Sequence, residues 1–305
     1  MDAPWTSWEQ VPEPTAVTIG VLDGVHLGHR ALIANLDDSL SRTVLTFEPH
    51  PVEVLRPGTP PRLITTIDER VALLDALGVD RVGVLDLAEI KEQAPTSFVR
   101  DVLVDKLNVA QMVVGDDFRF GKDRTGDIDL LFRLGESLGF VVDPIGLIGD
   151  GAGSVSSSRV RALIEAGEVA EAALLLGSRF TVTNTVIDGD KRGRQLGFPT
   201  ANISPPRRKV IPAAGVYACF ARLGDDTLGA AVNVGFRPTF GGSTLLIEAF
   251  LLDFDADVYG RSLTLEFVEY LRPELRFDAV TALVARMRED VAETRKILGS
   301  VETRI

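Results

Sequence analysis

The first half of the chain alternates short apolar runs with longer stretches whose apolar residues recur every three or four positions. Residues 16–22, 43–47, 79–85, 110–115 and 140–145 read as buried strands, and residues 30–39, 68–77, 96–106 and 128–138 carry helical spacing, with Asp68 and Thr96 placed as N-caps. Strands alternating with helices are the signature of βα units, so a doubly wound α/β layer with a parallel sheet is expected. Two more helices follow at 157–165 and 168–176, joined at Gly167 and ended by Gly177. Beyond Arg179 the apolar period changes to two. Runs at 182–187, 215–223, 227–234, 245–252 and 263–270 are separated by Gly, Asp and Pro turns, which predicts a small closed antiparallel β-barrel. Residues 277–298 then form one long amphipathic helix.

Two domains are therefore expected, 1–178 and 179–305. Charge divides the same way, since residues 1–178 hold 28 acidic against 15 basic side chains and residues 179–305 hold 16 against 17. A net charge of −12 excludes a broad surface for nucleic acid or anionic lipid, so any phosphate ligand must be held by local groups and a metal. Nowhere does an apolar run reach the roughly 20 residues of a membrane helix, and the polar start is unlike a signal peptide; a cytoplasmic protein is expected. Cys219, the single cysteine, sits among apolar strand residues and reads as a buried thiol rather than a nucleophile. The oligomeric state is left open.

Candidate chemistry gathers early in the chain, because all three histidines, His26, His29 and His50, fall within 25 residues. Gly24-Val25-His26-Leu27-Gly28-His29 follows the first strand as a glycine-rich turn into a helix. Free backbone N–H groups, the positive helix end and two imidazoles on one side suit the α-phosphate of a nucleoside triphosphate as pyrophosphate leaves, which is nucleotidyl transfer rather than hydrolysis. His50 lies in Thr46-Phe47-Glu48-Pro49-His50-Pro51, after the second strand, and would face the same crevice at the strands' carboxyl ends. A second constellation, Ser156-Ser157-Ser158-Arg159-Val160-Arg161, opens a helix with hydroxyls and guanidiniums. It fits a phosphate site and equally a capped helix with solvated arginines.

Together these segments resemble the bacterial bifunctional riboflavin kinase/FMN adenylyltransferase family over nearly the whole length. The resemblance rests on Gly20 to His29, Thr46 to Pro51, Gly115-Asp116-Asp117-Phe118-Arg119-Phe120-Gly121 and the serine-arginine segment ending at Arg161. In the second part it rests on Gly193-Arg194-Gln195-Leu196-Gly197-Phe198-Pro199-Thr200-Ala201-Asn202, on Pro212 to Tyr217 and on Asn233 to Phe240. It implies that the barrel phosphorylates riboflavin with ATP to FMN, and that the α/β domain adenylylates FMN to FAD with Mg²⁺ in both steps. By the same resemblance His26 and His29 act on the ATP phosphates with Gly20, Asp23, Gly24, Gly28 and His50 around them, and Ser157, Ser158 and Arg161 close the triphosphate site. Asp117 and Phe118 approach the flavin, although Phe118 or Phe120 fits a core position as well.

In the barrel, Thr200 and Asn202 offer neutral oxygens to a Mg²⁺ neutralised mainly by ATP phosphates. Gly193 and Arg194 would cover phosphates. Glu248, an acid among apolar strand residues, fits an outward-facing strand carboxylate as well, and the resemblance implies that it is the base that accepts the ribityl hydroxyl proton. Leu22, Ser158 and Phe250 depart from the family's usual Phe, Thr and His, and residues 35–42 make a shortened link expected to disturb the adenylyltransferase half. A related nucleotidyltransferase fused to a flavin-sensing barrel, or a flavin-binding protein without turnover, are the rival readings.

Overall fold

A computed structural model describes residues 10–56, 58, 60–149, 151, 153–188, 193, 196–239 and 242–302. The chain divides into two compact units, Met1–Ser157 and Ser158–Ile305. The break falls earlier than the expected 178/179 boundary, because the second helix before the barrel packs against barrel strands rather than the parallel sheet.

The first unit is a five-stranded parallel sheet ordered β3-β2-β1-β4-β5, from β1 (Thr15–Ile19), β2 (Ser41–Phe47), β3 (Arg81–Leu85), β4 (Val109–Gly115) and β5 (Val141–Ile145). The chain winds outward from β1 to β3 and then returns to β4 on the other side, so the switch point lies between β1 and β4. Strands of this kind are apolar on both faces because each face is covered. Val17, Ile19, Leu45, Met112 and Val114 belong to one buried cluster, and their alternates Ala16, Val44 and Val113 to another.

The helices start where side chains or backbone geometry supply a cap. Helix α1 spans Leu27–Ala34, earlier than the expected 30–39, since extended His26 precedes its first turn and Asn35 ends it. The short link that follows is a hydrogen-bonded turn in which the Asp37 carboxylate accepts from the Ser39 N–H and hydroxyl, and β2 keeps its full register with β1. Helix α2 covers Pro51–Leu55 and α3 Ile67–Asp75, the latter started by a Thr66/Glu69 capping box rather than by Asp68. After α4 (Leu87–Ile90), Pro95 rather than Thr96 opens α5 (Pro95–Phe98), which continues into a wide π-type turn at Val99–Val104. Helix α6 (Ile128–Leu138) runs from an Asp127 cap to left-handed Gly139.

The second unit opens with α7 (Ser157–Ala166, its first residue shared with the unit before) and α8 (Val169–Leu176), followed by a closed six-stranded barrel ordered β10-β7-β6-β11-β8-β9. Its strands are β6 (Phe180–Ile187), β7 (Thr200–Ile203), β8 (Gly215–Leu223), β9 (Asp226–Thr239), β10 (Gly242–Leu251) and β11 (Ser262–Arg272), all antiparallel pairs. The sequence pattern did not single out β7, whose four residues are too short to show alternation. Cys219 is fully buried in β8, and burial pushes its thiol well above the usual value, as an inert strand thiol requires. The terminal helix, α9 (Val280–Glu302), is fastened to the barrel through Leu298 on Ala218 and Phe220. Leu298→Ala is expected to destabilise this unit by about 2–4 kcal/mol, the usual cost of a truncated core leucine; thermal unfolding of the two proteins side by side measures it.

Candidate active sites

Three loops at the carboxyl ends of β1, β2 and β4 carry the candidate residues of the first unit. The β1 loop folds tightly, with positive φ at Leu22 (52°), Gly24 (84°) and Val25 (43°). Left-handed backbone is unfavourable for leucine and more so for β-branched valine, so something must hold it. Burial of both side chains is one restraint, and the Asp23 carboxylate is the other. It accepts hydrogen bonds from Ile64 N (2.9 Å) and Thr65 N (3.0 Å), while the Thr65 hydroxyl accepts from Gly24 N at 3.1 Å. Asp23 thus points to the neighbouring backbone as the anchor of the loop.

The loop delivers His26 and His29 as a stacked pair, ring centroids 3.6 Å apart and planes inclined by 17°. Gly28 permits this arrangement, because a Cβ there would come within 3.1 Å of the His26 ring. Burial pushes the His26 imidazole down to about 4, partly opposed by the Asp23 carboxylate. His29 is held well below its usual value by burial first, then by His26 and Arg70. Both rings are therefore neutral near pH 7, and the Nδ1 atom of each is buried without a hydrogen-bond partner. Gly20 closes the end of β1 by donating to Leu45 O at 3.0 Å.

His50 caps α2. Its Nδ1 accepts from Val52 N at 3.1 Å, which puts the ring proton on Nε2. Ser157 donates its hydroxyl to Asp23 O at 2.9 Å, a bond within the first unit. Ser158 is exposed and Arg161 half-buried in the turns that follow. Across the switch point, Asp117 is exposed in the loop after β4, and Phe118 is half-buried against Phe120 with centroids 5.5 Å apart. Phe120 is the core residue of the two.

Arg70 was not anticipated. It has no exposed surface, donates through one terminal nitrogen to Thr46 Oγ1 (2.9 Å) and Phe47 O (3.3 Å), and leaves Nε buried and unpaired. The signal available in the sequence was a cation four residues before Leu74 on the inward stripe of α3, where a hydrophobic residue is the rule.

In the barrel the register places two rows across β9, β10 and β7. Asn233, Glu248 and Asn202 form one, and Ala231, Phe250 and Thr200 the next. Directly paired residues share a face, so Glu248 stands between two asparagines. A cavity of about 290 Å³ is walled by Phe198, Phe250, Val216, Leu283 and Met287, with Glu248 among its polar groups. A second, of about 60 Å³, is lined by Asn202, Leu251, Asp255 and Tyr259; Thr200 lines both. Phe250, where a histidine is usual in the resemblance, packs edge-on against Phe198 at 5.1 Å as part of the apolar wall. Gly193 lies tight against Phe198, whose N–H donates to its carbonyl at 2.9 Å, and a side chain would strike the Phe198 carbonyl. Arg194 lies outside the described residues.

Residues 8–159 match the FAD synthetase family and residues 176–298 the riboflavin kinase family. A bifunctional riboflavin kinase/FMN adenylyltransferase of Escherichia coli (strain K12) is 37% identical over 298 residues, covering 95% of each chain. The chain belongs to the bifunctional riboflavin kinase/FMN adenylyltransferase family. The Pseudomonas fluorescens member is 38% identical over 92% of each chain, and the Listeria monocytogenes member 34% identical over 98% of this chain and 95% of its own. Among solved structures, one described as a macrolide-efflux protein from Streptococcus pneumoniae shares the fold with TM-score 0.88 and 29% identity, covering 96% of this chain and 98% of that one. Among the described residues no helix is long and apolar enough to cross a membrane.

Neutral His26 in this family member makes stability depend on pH. Its folded pKa lies below the unfolded value, so the unfolded chain binds the extra proton and the contribution, complete above pH 6.5, is lost as pH falls towards 4. The stability advantage of wild type over His26→Gln is expected to shrink by about 2–3 kcal/mol between pH 7 and pH 4.5, measured by urea unfolding at each pH.

Proposed function

We propose that this chain makes FAD from riboflavin in two ATP-dependent steps, with the kinase chemistry in the barrel and adenylyl transfer in the parallel-sheet unit. The observation that carries the reading is the meeting of two cavities at Thr200 beside Glu248, in a chain whose other unit presents a stacked histidine pair at a switch point. A mostly apolar cavity suits an isoalloxazine ring, and the smaller cavity across Thr200 suits the phosphates of ATP. The ribityl 5′-hydroxyl then lies by Glu248, which accepts its proton as the oxygen attacks the γ-phosphorus and ADP leaves.

The enzymes of this family use a divalent metal, and we assign it as Mg²⁺. Its donors in the barrel are Thr200 Oγ1 and Asn202 Oδ1. The fit is supported by Asn202 Oδ1, a buried oxygen with no hydrogen-bond partner, as a hard cation's ligand would be before the cation arrives. Among the described residues no three His, Cys, Asp or Glu side chains group to hold a metal. Bound there, Mg²⁺ neutralises charge on the transferring phosphoryl group, while Gly193 and Arg194 cover the phosphates.

In the first unit His26 and His29 donate to the α-phosphate, His50 adds its Nε2–H, and Gly20, Gly24 and Gly28 leave room for the chain of phosphates. Asp23 contributes by fixing the loop. The resemblance assigns Ser157, Ser158 and Arg161 to the triphosphate as well, and Asp117 with Phe118 to the FMN. The FMN phosphate oxygen attacks the α-phosphorus and pyrophosphate departs, with no covalent enzyme intermediate. Activity is divided between residues 1–178 and 179–305. A cytoplasmic setting agrees with the single, buried cysteine.

Glu248→Gln is expected to slow riboflavin phosphorylation about 10²- to 10⁴-fold while FMN supplied directly is still converted to FAD. His29→Asn should do the reverse. Chromatographic separation of riboflavin, FMN and FAD over time reads both, and phosphorylation at the wild-type rate by the Glu248 variant overturns the assignment.

A further inference from the structure

We infer that Arg70 is a positioning residue for adenylyl transfer, a buried cation that holds the end of β2 to the phosphate loop and places a full positive charge beside the imidazole pair. The inference rests on the assignment of that pair to the ATP phosphates. Thr46 is the link: its hydroxyl donates to Val21 O in the β1 loop at 2.9 Å and accepts from the Arg70 guanidinium at 2.9 Å. The same nitrogen reaches Phe47 O, the last residue of β2. One guanidinium therefore fastens the segment that leads to His50 to the loop that carries His26 and His29.

Packing alone does not explain an arginine here. On the inward face of α3, four residues before Leu74, an aliphatic side chain would bury at no electrostatic cost, whereas a guanidinium with no exposed surface loses its hydration and recovers it only in part from two neutral acceptors. Its Nε is left without a partner. The charged and titratable groups that Arg70 interacts with electrostatically include Asp23, Glu48 and His29. Asp23 already accepts from the backbone of Ile64 and Thr65. With both imidazoles neutral, the pair offers hydrogen bonds but no net charge, and the Arg70 charge felt at His29 offsets the carboxylates of Asp23 and Glu48 that a polyanionic ligand would otherwise meet. After burial and His26, Arg70 adds to the opposition to protonation of His29, so the ring stays neutral across neutral pH.

The test uses Arg70→Met and Arg70→Lys in the full chain. Adenylyl transfer from supplied FMN gives KM for ATP and kcat, riboflavin phosphorylation serves as the internal control, and the three imidazoles are titrated by long-range ¹⁵N–¹H NMR. Arg70→Met is expected to raise KM for ATP about ten-fold or more, to leave riboflavin phosphorylation unchanged, and to let His29 take up its proton at higher pH than in wild type. Arg70→Lys, which keeps the charge, should hold the His29 titration near wild type and recover most of the ATP affinity. An ATP KM within about two-fold of wild type in Arg70→Met overturns the inference. So does a loss that Arg70→Lys fails to repair while His29 titrates as before, since that marks a purely structural arginine. If the methionine variant does not fold, the lysine variant decides by the same two readings. Unchanged adenylyl transfer in His29→Asn would instead sink the assignment of the pair, a separate outcome.

Discussion

A buried polar atom must find a partner or cost about 1–3 kcal/mol, and both sites are built around atoms for which the fold supplies none. In the first unit these are Nδ1 of His26, Nδ1 of His29 and Nε of Arg70; in the second, Oδ1 of Asn202. Every other feature of the sites serves to keep them in place. The left-handed turn at Leu22, Gly24 and Val25 is unfavourable by itself and survives because Asp23 is bonded to the 64–65 backbone. Across β9, β10 and β7, hydrogen-bonded register fixes Asn202 opposite Glu248 without help from loops.

The parallel sheet was legible because its strands are apolar on both faces, and Ala16 and Val17 lead to separate clusters as alternation requires. Helix starts were less legible, since caps compete. Asp68 is as good a cap by residue type as Thr66, and what selects Thr66 is the return bond from the Glu69 side chain to its N–H at 2.8 Å. The α1 start moved for a related reason. Glycine at 28 argues against helix by propensity, yet it lies inside the first turn because the His26 ring occupies the space a side chain would take.

Motif residues were legible as a set, and Arg70 was not, because the two carry information differently. Histidines beside glycines are conspicuous in sequence, whereas a lone arginine in a charged stretch such as Asp68-Glu69-Arg70 reads as solvated surface. Its place on the inward stripe four residues before Leu74 is the one hint, and burial makes it plain. Strand β7 was missed for want of length, although it bears Thr200 and Asn202; the resemblance located those residues when periodicity could not. Phe250 shows the opposite case. Its departure from the usual histidine is resolved by its edge-on contact with Phe198, which makes it wall rather than acid–base partner.

A protein carrying net charge −12 must hold ATP in two steps, and on the reading proposed above the stacked imidazoles meet it in the first unit. Two charged rings 3.6 Å apart would repel by about 4–5 kcal/mol at an effective dielectric near 20, so the stack and the neutral state are one constraint seen twice. On that reading, neutral donors hold the α-phosphate less tightly in the ground state than cations would. Charge stabilisation can then grow along the reaction rather than being spent on the ground state, which is the condition for a contact to accelerate a step instead of merely tightening binding. The barrel offers groups of the same kind, the neutral oxygens of Thr200 and Asn202, and in both steps the nucleophile belongs to the flavin, leaving the protein to orient it.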